Sequence, residues 1–286
     1  MSKIAITLDL SSIDNSLINF AYQYYHKHEI TQIHFIHNIK PSDLSKVWED
    51  YMDNIDIEGL IIDKINKSIN QYFGDSEMVY VHITKQEQTE SSIKHLCINE
   101  DISTVICGWK TDENGSGSVV QKLLRILKGT YIMVPENKRY DNSNILIPSD
   151  LSAPFLPLVT QLNQQDLIQS SSKVKVVRAF NIPPIFFPMV DNDDLEQKTA
   201  KHIQGQFNEL KQKNTILNSV EFQAYFQNSE SITQVIEHLA KINKATLVCI
   251  AAKGSSKLRS ILIGSTTNRL LNTNPFSVLV IVQNQL

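Results

Sequence analysis

Cysteine is scarce: Cys97, Cys107 and Cys249 make an odd count with no C-x-x-C spacing, and two of them lie in apolar runs that read as buried strands. That pattern argues against a disulfide framework and for reduced core thiols in a cytosolic protein. Charge of one sign is also lacking, since the net charge is -3, and no global field recruits nucleic acid or an anionic membrane surface. No apolar run approaches the ~18 residues of a membrane helix. The opening MSKIAITLDL has no cleavable apolar core, so the expected location is the cytoplasm. The common phosphate fingerprints are missing too. There is no G-x-x-x-x-G-K-[ST], and no G-x-G-x-x-G follows the first strand of either half. What is present is ordinary for a folded chain: 42% hydrophobic and 20% charged residues exclude a disordered, collagenous or coiled-coil protein. At 286 residues, two domains of roughly 140 residues, or one large one, are the first expectation.

The chain repeats itself. IAITLDLSS (4–12) is echoed by ILIPSDLSA (145–153), which matches Asp9 to Asp150 at an offset of 141. FIHNI (35–39) is echoed by RAFNI (178–182) at 143, and GSVVQKLL (117–124) by GSTTNRLL (264–271) at 147. Three echoes in one order indicate a duplication, with domains expected at 1–140 and 141–286 around the polar connector NKRYDNSN. Within each half, short β-branched runs alternate with stretches of helical period. Strands are predicted near 4–8, 32–36, 78–84, 104–107 and 131–134, and again near 145–147, 174–179, 221–226, 247–251 and 277–282. Helices separate most of them, as over 195–213, where Ile203, Phe207 and Leu210 recur at helical spacing. This alternation predicts an α/β fold, two doubly wound parallel sheets with right-handed crossovers. Ligands of such sheets bind at the carboxyl ends of the strands, where the strand order reverses.

One stretch at such an end invites an anion. After the apolar run ATLVCI comes AAKGSSKLRSILIGSTTNRLL, in which Ala251, Gly254 and Gly264 keep side chains out of a tight turn. Ser265 begins a helix whose first amides have no intrahelical partner, and Ser265, Thr266 and Thr267 add hydroxyls. Lys253, Lys257 and Arg259 give the loop three positive charges and no negative one. Helix capping alone would also explain a Gly-Ser start.

The chain resembles a tandem universal stress protein, nearly throughout and once per half. That family carries G-x2-G-x9-G-[ST] after its fourth strand, which Ala251-x2-Gly254-x9-Gly264-Ser265 reproduces with one Gly-to-Ala change, and a Pro-Thr-Asp-like turn after the first strand, matched by Pro148-Ser149-Asp150. The resemblance implies an adenine nucleotide, ATP with Mg²⁺, as ligand. It puts Asp150 at the ribose or base and Asn181 at the base, with Ile250 and Ala251 flanking the nucleoside. Gly254, Gly264, Ser265 and Thr267 would surround the phosphates, with Lys253 in reach of one. It also implies that the last strands of the halves join them as an intramolecular pseudo-dimer, and it leaves a homodimer open.

The halves are unequal. The first keeps Asp9, Gly108, Gly117 and Ser118, but Thr111 replaces the second glycine, only DENGS separates it from Gly117, and Val119 and Val120 stand where Thr266 and Thr267 do. A short acidic loop is a poor cradle for a triphosphate, so the nucleotide is expected in the C-terminal half alone. No nucleophile, general base or metal cluster stands near the loop, so the expectation is a stress protein that binds rather than turns over, with slow ATP hydrolysis as the upper limit. Two alternatives stand beside it: a ligand-free interaction scaffold, and a nucleotidyltransferase-like enzyme, against which the lack of HIGH-type and SGGxDS-type motifs counts. The apolar insertion IPPIFFPMVDNDD (182–194) is expected to be a lid or a packing element, and His34 and His37 are expected to serve strand packing rather than a metal.

Overall fold

The computed structural model describes residues 2–43, 56–109, 116–182, 192–228, 230–252, 264–272 and 278–283. The chain forms two compact units with main bodies Met1–Tyr140 and Asp141–Leu270, and Leu279–Asn284 belongs to the second. The first unit runs β1 (Ser2–Leu8), α1 (Ile13–Lys27), β2 (Ile30–Ile39), α2 (Ile57–Phe73), β3 (Val79–Lys85), α3 (Thr89–Asn99), β4 (Thr104–Gly108), α4 (Ser116–Ile126) and β5 (Gly129–Val134). The second runs β6 (Asn144–Pro148), α5 (Phe155–Gln164), β7 (Lys173–Phe180), α6 (Asn192–Lys213), β8 (Val220–Phe226), α7 (Ile232–Ile242), β9 (Leu247–Ala251), α8 (Ser265–Leu271) and β10 (Val278–Gln283). The strand orders are β3-β2-β1-β4-β5 and β10-β9-β6-β7-β8, and the strand pairs with a resolved register are parallel. This is the doubly wound α/β class that the alternation predicts.

Burial follows position in the sheet. All five residues of β4 are buried, as are the first four of β9, whereas β3, at the end of its strand order, is half-buried or exposed throughout. Interior strands of a helix-covered parallel sheet lack a wet face, hence their unbroken apolar runs. β2 extends well past the predicted 32–36, because a strand with neighbours on both sides keeps its ladder even where His37 and Asn38 interrupt the apolar run. The three cysteines are buried and free, and burial pushes the Cys97 and Cys107 thiols up to about 12, which keeps them unreactive.

The strand registers locate the duplication more finely than the sequence echoes do. Thr7 pairs with Ile36 and Pro148 with Val177, while His34 pairs with Tyr80 and Lys175 with Glu221, so the first three strands of each unit correspond at an offset of 141. The FIHNI/RAFNI echo at 143 is therefore two residues out of register in the sheet. Asn38 corresponds to Ala179, and Asn181 falls one residue beyond β7.

Candidate functional site

In the second unit β6 lies between β7 and β9. The chain passes from β6 to β7 and β8 on one side and returns to β9 and β10 on the other, which makes the carboxyl ends of β6 and β9 the switch point. With neighbouring strands ~4.8 Å apart, the ends of β9, β6 and β7 fall within about 10 Å of one another. Three groups of the residues singled out above converge there.

At β6, the Ser149 amide adds one more ladder bond to the Val177 carbonyl (2.9 Å), and the chain then turns through Leu151, whose φ of 59° is left-handed. Local hydrogen bonds hold this strained turn: the Leu151 amide donates to Ser149 Oγ (3.0 Å) and the Ser152 amide to Asp150 Oδ1 (3.0 Å). Asp150 thus stands exposed at the rim. Beside it a cleft of about 390 Å³ is lined by Asp150, Leu151, Arg178, Glu209 and Lys213. Arg178 Nη1 donates to Gln206 Oε1 (2.7 Å), which braces the guanidinium against α6. Asn181 is exposed between buried Phe180 and Ile182.

At β9, Ile250 is buried and Ala251 half-buried, and Ala251 stays out of the left-handed region. The change from Gly108 to Ala251 therefore carries no backbone strain. A Cβ on Gly108 would meet Ile13 Cδ1 at 3.0 Å and Cγ2 at 3.1 Å; in the 141 register Pro154 stands in place of Ile13, so the glycine of the first unit answers α1 packing. The Ala252 amide donates to Val282 (2.9 Å), and the Gly264 amide donates back to the Ala252 carbonyl (2.8 Å), which closes the loop at its base. Thr267 is buried, and its hydroxyl donates to the Ala251 carbonyl (3.3 Å), so it ties α8 to β9. Ser265 is exposed and Thr266 half-buried at the helix start. Lys253 and Gly254 lie outside the described residues, as does most of the apolar insertion after Ile182.

The first unit repeats the turn. Leu10 has φ 63°, and the Ser11 amide donates to Asp9 Oδ1 (3.2 Å). Here a residue that sequence reasoning overlooked intervenes. Asp14, buried at 9% exposure, accepts the Leu10 amide (2.7 Å) on one oxygen and the Asp9 amide (3.2 Å) on the other. Its sequence signal was only an acid in the first turn of a helix; Phe155 takes that place in the 141 register and packs against Phe207. At the end of β2, Asn38 is committed as well: it donates to Gln86 O and Thr89 Oγ1 and accepts from Thr84, Gln86 and Ser92. His34 and His37 point to opposite sheet faces, and His37 Nδ1 donates to the Leu8 carbonyl (3.0 Å). Among the described residues no helix is long and apolar enough to cross a membrane.

A sequence model of the universal stress protein family matches residues 144–282. No curated protein matches the chain. Among solved structures, a functionally unknown protein from Pseudomonas aeruginosa PAO1 is similar at 13% identity and a TM-score of 0.66, over 99% of this chain and 92% of that one. A universal stress protein from Archaeoglobus fulgidus DSM 4304 is similar at 13% identity and a TM-score of 0.59, over 98% of this chain and 96% of that one. At such identity these two likenesses bear on the fold, and they extend it over both units. The chain thus carries a domain of the universal stress protein family at residues 144–282, and over both units it shares the fold of these two solved structures.

Proposed function

We propose that the second unit binds an adenine nucleotide, ATP accompanied by Mg²⁺, at the β6/β9 switch point, and that the protein acts in stress response by binding rather than turnover. The observation that carries this reading is the loop closure: the Gly264–Ala252 and Thr267–Ala251 hydrogen bonds draw the start of α8 onto the end of β9, next to the β6 end that carries exposed Asp150. The donor set suits a polyphosphate. The first amides of α8 lack intrahelical partners, the exposed Ser265 hydroxyl stands at the helix start, and small Ala251 and Gly264 leave room for close approach. Asp150 and Asn181 would hold the nucleoside and Ile250 would flank it. Lys253 and Gly254 would complete the phosphate loop. Thr267 would act through Ala251, because its hydroxyl is already committed. ATP would bring its own Mg²⁺, held by phosphate oxygens and water. The first unit supports the same assignment by contrast, since Asp14 places a carboxylate against the amides at the end of β1.

The test is chromatography of nucleotides released from freshly purified protein, joined to calorimetric titration of Mg-ATP into wild type and a Gly264→Arg variant. One site per chain with micromolar affinity, lost in a variant whose circular dichroism is unchanged, is the expected result. No released nucleotide and no heat of binding would overturn the proposal.

A further inference from the structure

The first unit contains a titratable cluster that the nucleotide reading leaves unused. His34 on β2 is 1% exposed; its Nδ1 lies 3.0 Å from His82 Nε2 on β3, and its Nε2 lies 3.4 Å from Gln32 Oε1. An amide oxygen only accepts, so His34 carries its hydrogen on Nε2, leaves Nδ1 bare, and receives the Nε2–H of His82. Tyr80 stacks on His34 with ring centroids 5.0 Å apart. β3 ends the strand order and pairs with β2, so this N–H···N bond fastens an edge strand to the sheet through side chains, besides the ladder. The other charged groups acting on the pair are Lys3 from β1 and Glu100 from the turn after α3, 3.9 Å apart.

The second unit supplies an internal comparison. In the 141 register Lys175 stands for His34, Gln223 for His82 and Glu221 for Tyr80. Lys175 Nζ donates to Asn243 Oδ1 (2.8 Å) and lies 3.8 Å from Glu221 Oε2. The same place thus holds a lysine partnered by an amide oxygen and a carboxylate in one unit and a hydrogen-bonded imidazole pair in the other.

We propose that His34 and His82 form a pH-responsive clasp, which holds edge strand β3 while His34 is neutral and releases it once both imidazoles are charged. The first proton enters at His82 Nδ1 and leaves the N–H···N bond intact. The second must enter at His34 Nδ1, which removes the acceptor and sets two cations face to face. Burial, then the neighbouring imidazole, holds His34 down to about 4, and burial lowers His82 as well. For a base whose folded value lies below its unfolded ~6.5, the stabilisation is complete above ~6.5 and is lost as pH falls towards the folded value. Release frees the β-branched edge of Val79, Val81 and Ile83 for pairing with another strand.

Amide hydrogen exchange of the full chain from pH 7.5 to 4.5, corrected for intrinsic rates, tests the clasp. Protection of β3 should fall by about tenfold per pH unit for each proton taken up below ~6.5, while β1 and β8 in the same sample keep theirs. His82→Gln, which retains a neutral donor for His34, should shrink the β3 fall by on the order of tenfold across the window. Equal losses in β1 and β3, a flat β3 profile, or an unaltered fall in the variant would each overturn the clasp. Imidazole ¹⁵N shifts of the wild type give a check without any variant: His34 protonated on Nδ1 at pH 7.5 contradicts it.

Discussion

Asp14 holds the Asp9 and Leu10 amides of a left-handed turn in the first unit, whereas in the second Ser149 Oγ takes the Leu151 amide, the counterpart of Leu10. Asp14→Ala would strip both acceptors and a first-turn carboxylate from α1, and should cost about 1–3 kcal/mol, read as a lower urea midpoint with unchanged slope. Because the nucleotide is proposed to bind the second unit, ATP stoichiometry should not change in that variant. Gly108→Ala tests the other residue-scale contrast. Its new methyl meets Ile13 at 3.0 Å, so a loss of about 1–2 kcal/mol is expected from overpacking, and Ile13→Val in the same chain should restore part of it.

Among the elements, α7 and α8 are begun by different means. Ser231 and Gln234 form a complete capping box at the start of α7, whose Val235, Ile236, Leu239 and Ala240 are buried. Ser231→Ala should lower stability by about 1 kcal/mol in chemical denaturation. The short α8 relies instead on Thr267 and Gly264 holding it to β9. Thr267→Val keeps the shape but leaves the Ala251 carbonyl without that donor, so a stability loss of about 1 kcal/mol is expected, together with weaker Mg-ATP binding in calorimetry. A variant that loses stability but binds ATP as wild type does would confine Thr267 to a packing role.

For the molecule as a whole, duplication gave two frames of one topology and let their polar residues diverge: a nucleotide crevice is proposed for one unit, and an imidazole pair lies in the other. Ligand should therefore act unevenly. At 100 times its dissociation constant, Mg-ATP would stabilise its unit by about 2.7 kcal/mol, visible as slower exchange in β6, β7 and β9 with β1, β2 and β4 unaffected. Slowing of equal size in both units would contradict a single site.

The sequence by itself determined the class of fold and the duplication, because apolar alternation and helical period are local and survive in any frame of the right kind. The turn at Asp150 and the start of α8 at Ser265 were legible for the same reason, as signals carried by adjacent residues. What only the tertiary structure decided depends on register and reach. The echo of Asn38 in Asn181 dissolves once the strand pairings place Ala179 at that position. Asp14 bends back over a left-handed turn that no residue pattern announces. His34 and His82, 48 residues apart in sequence, meet only because parallel pairing of β2 with β3 sets them diagonally on one face. Local propensity writes the elements, and the hydrogen-bonded register chooses which distant side chains share a place.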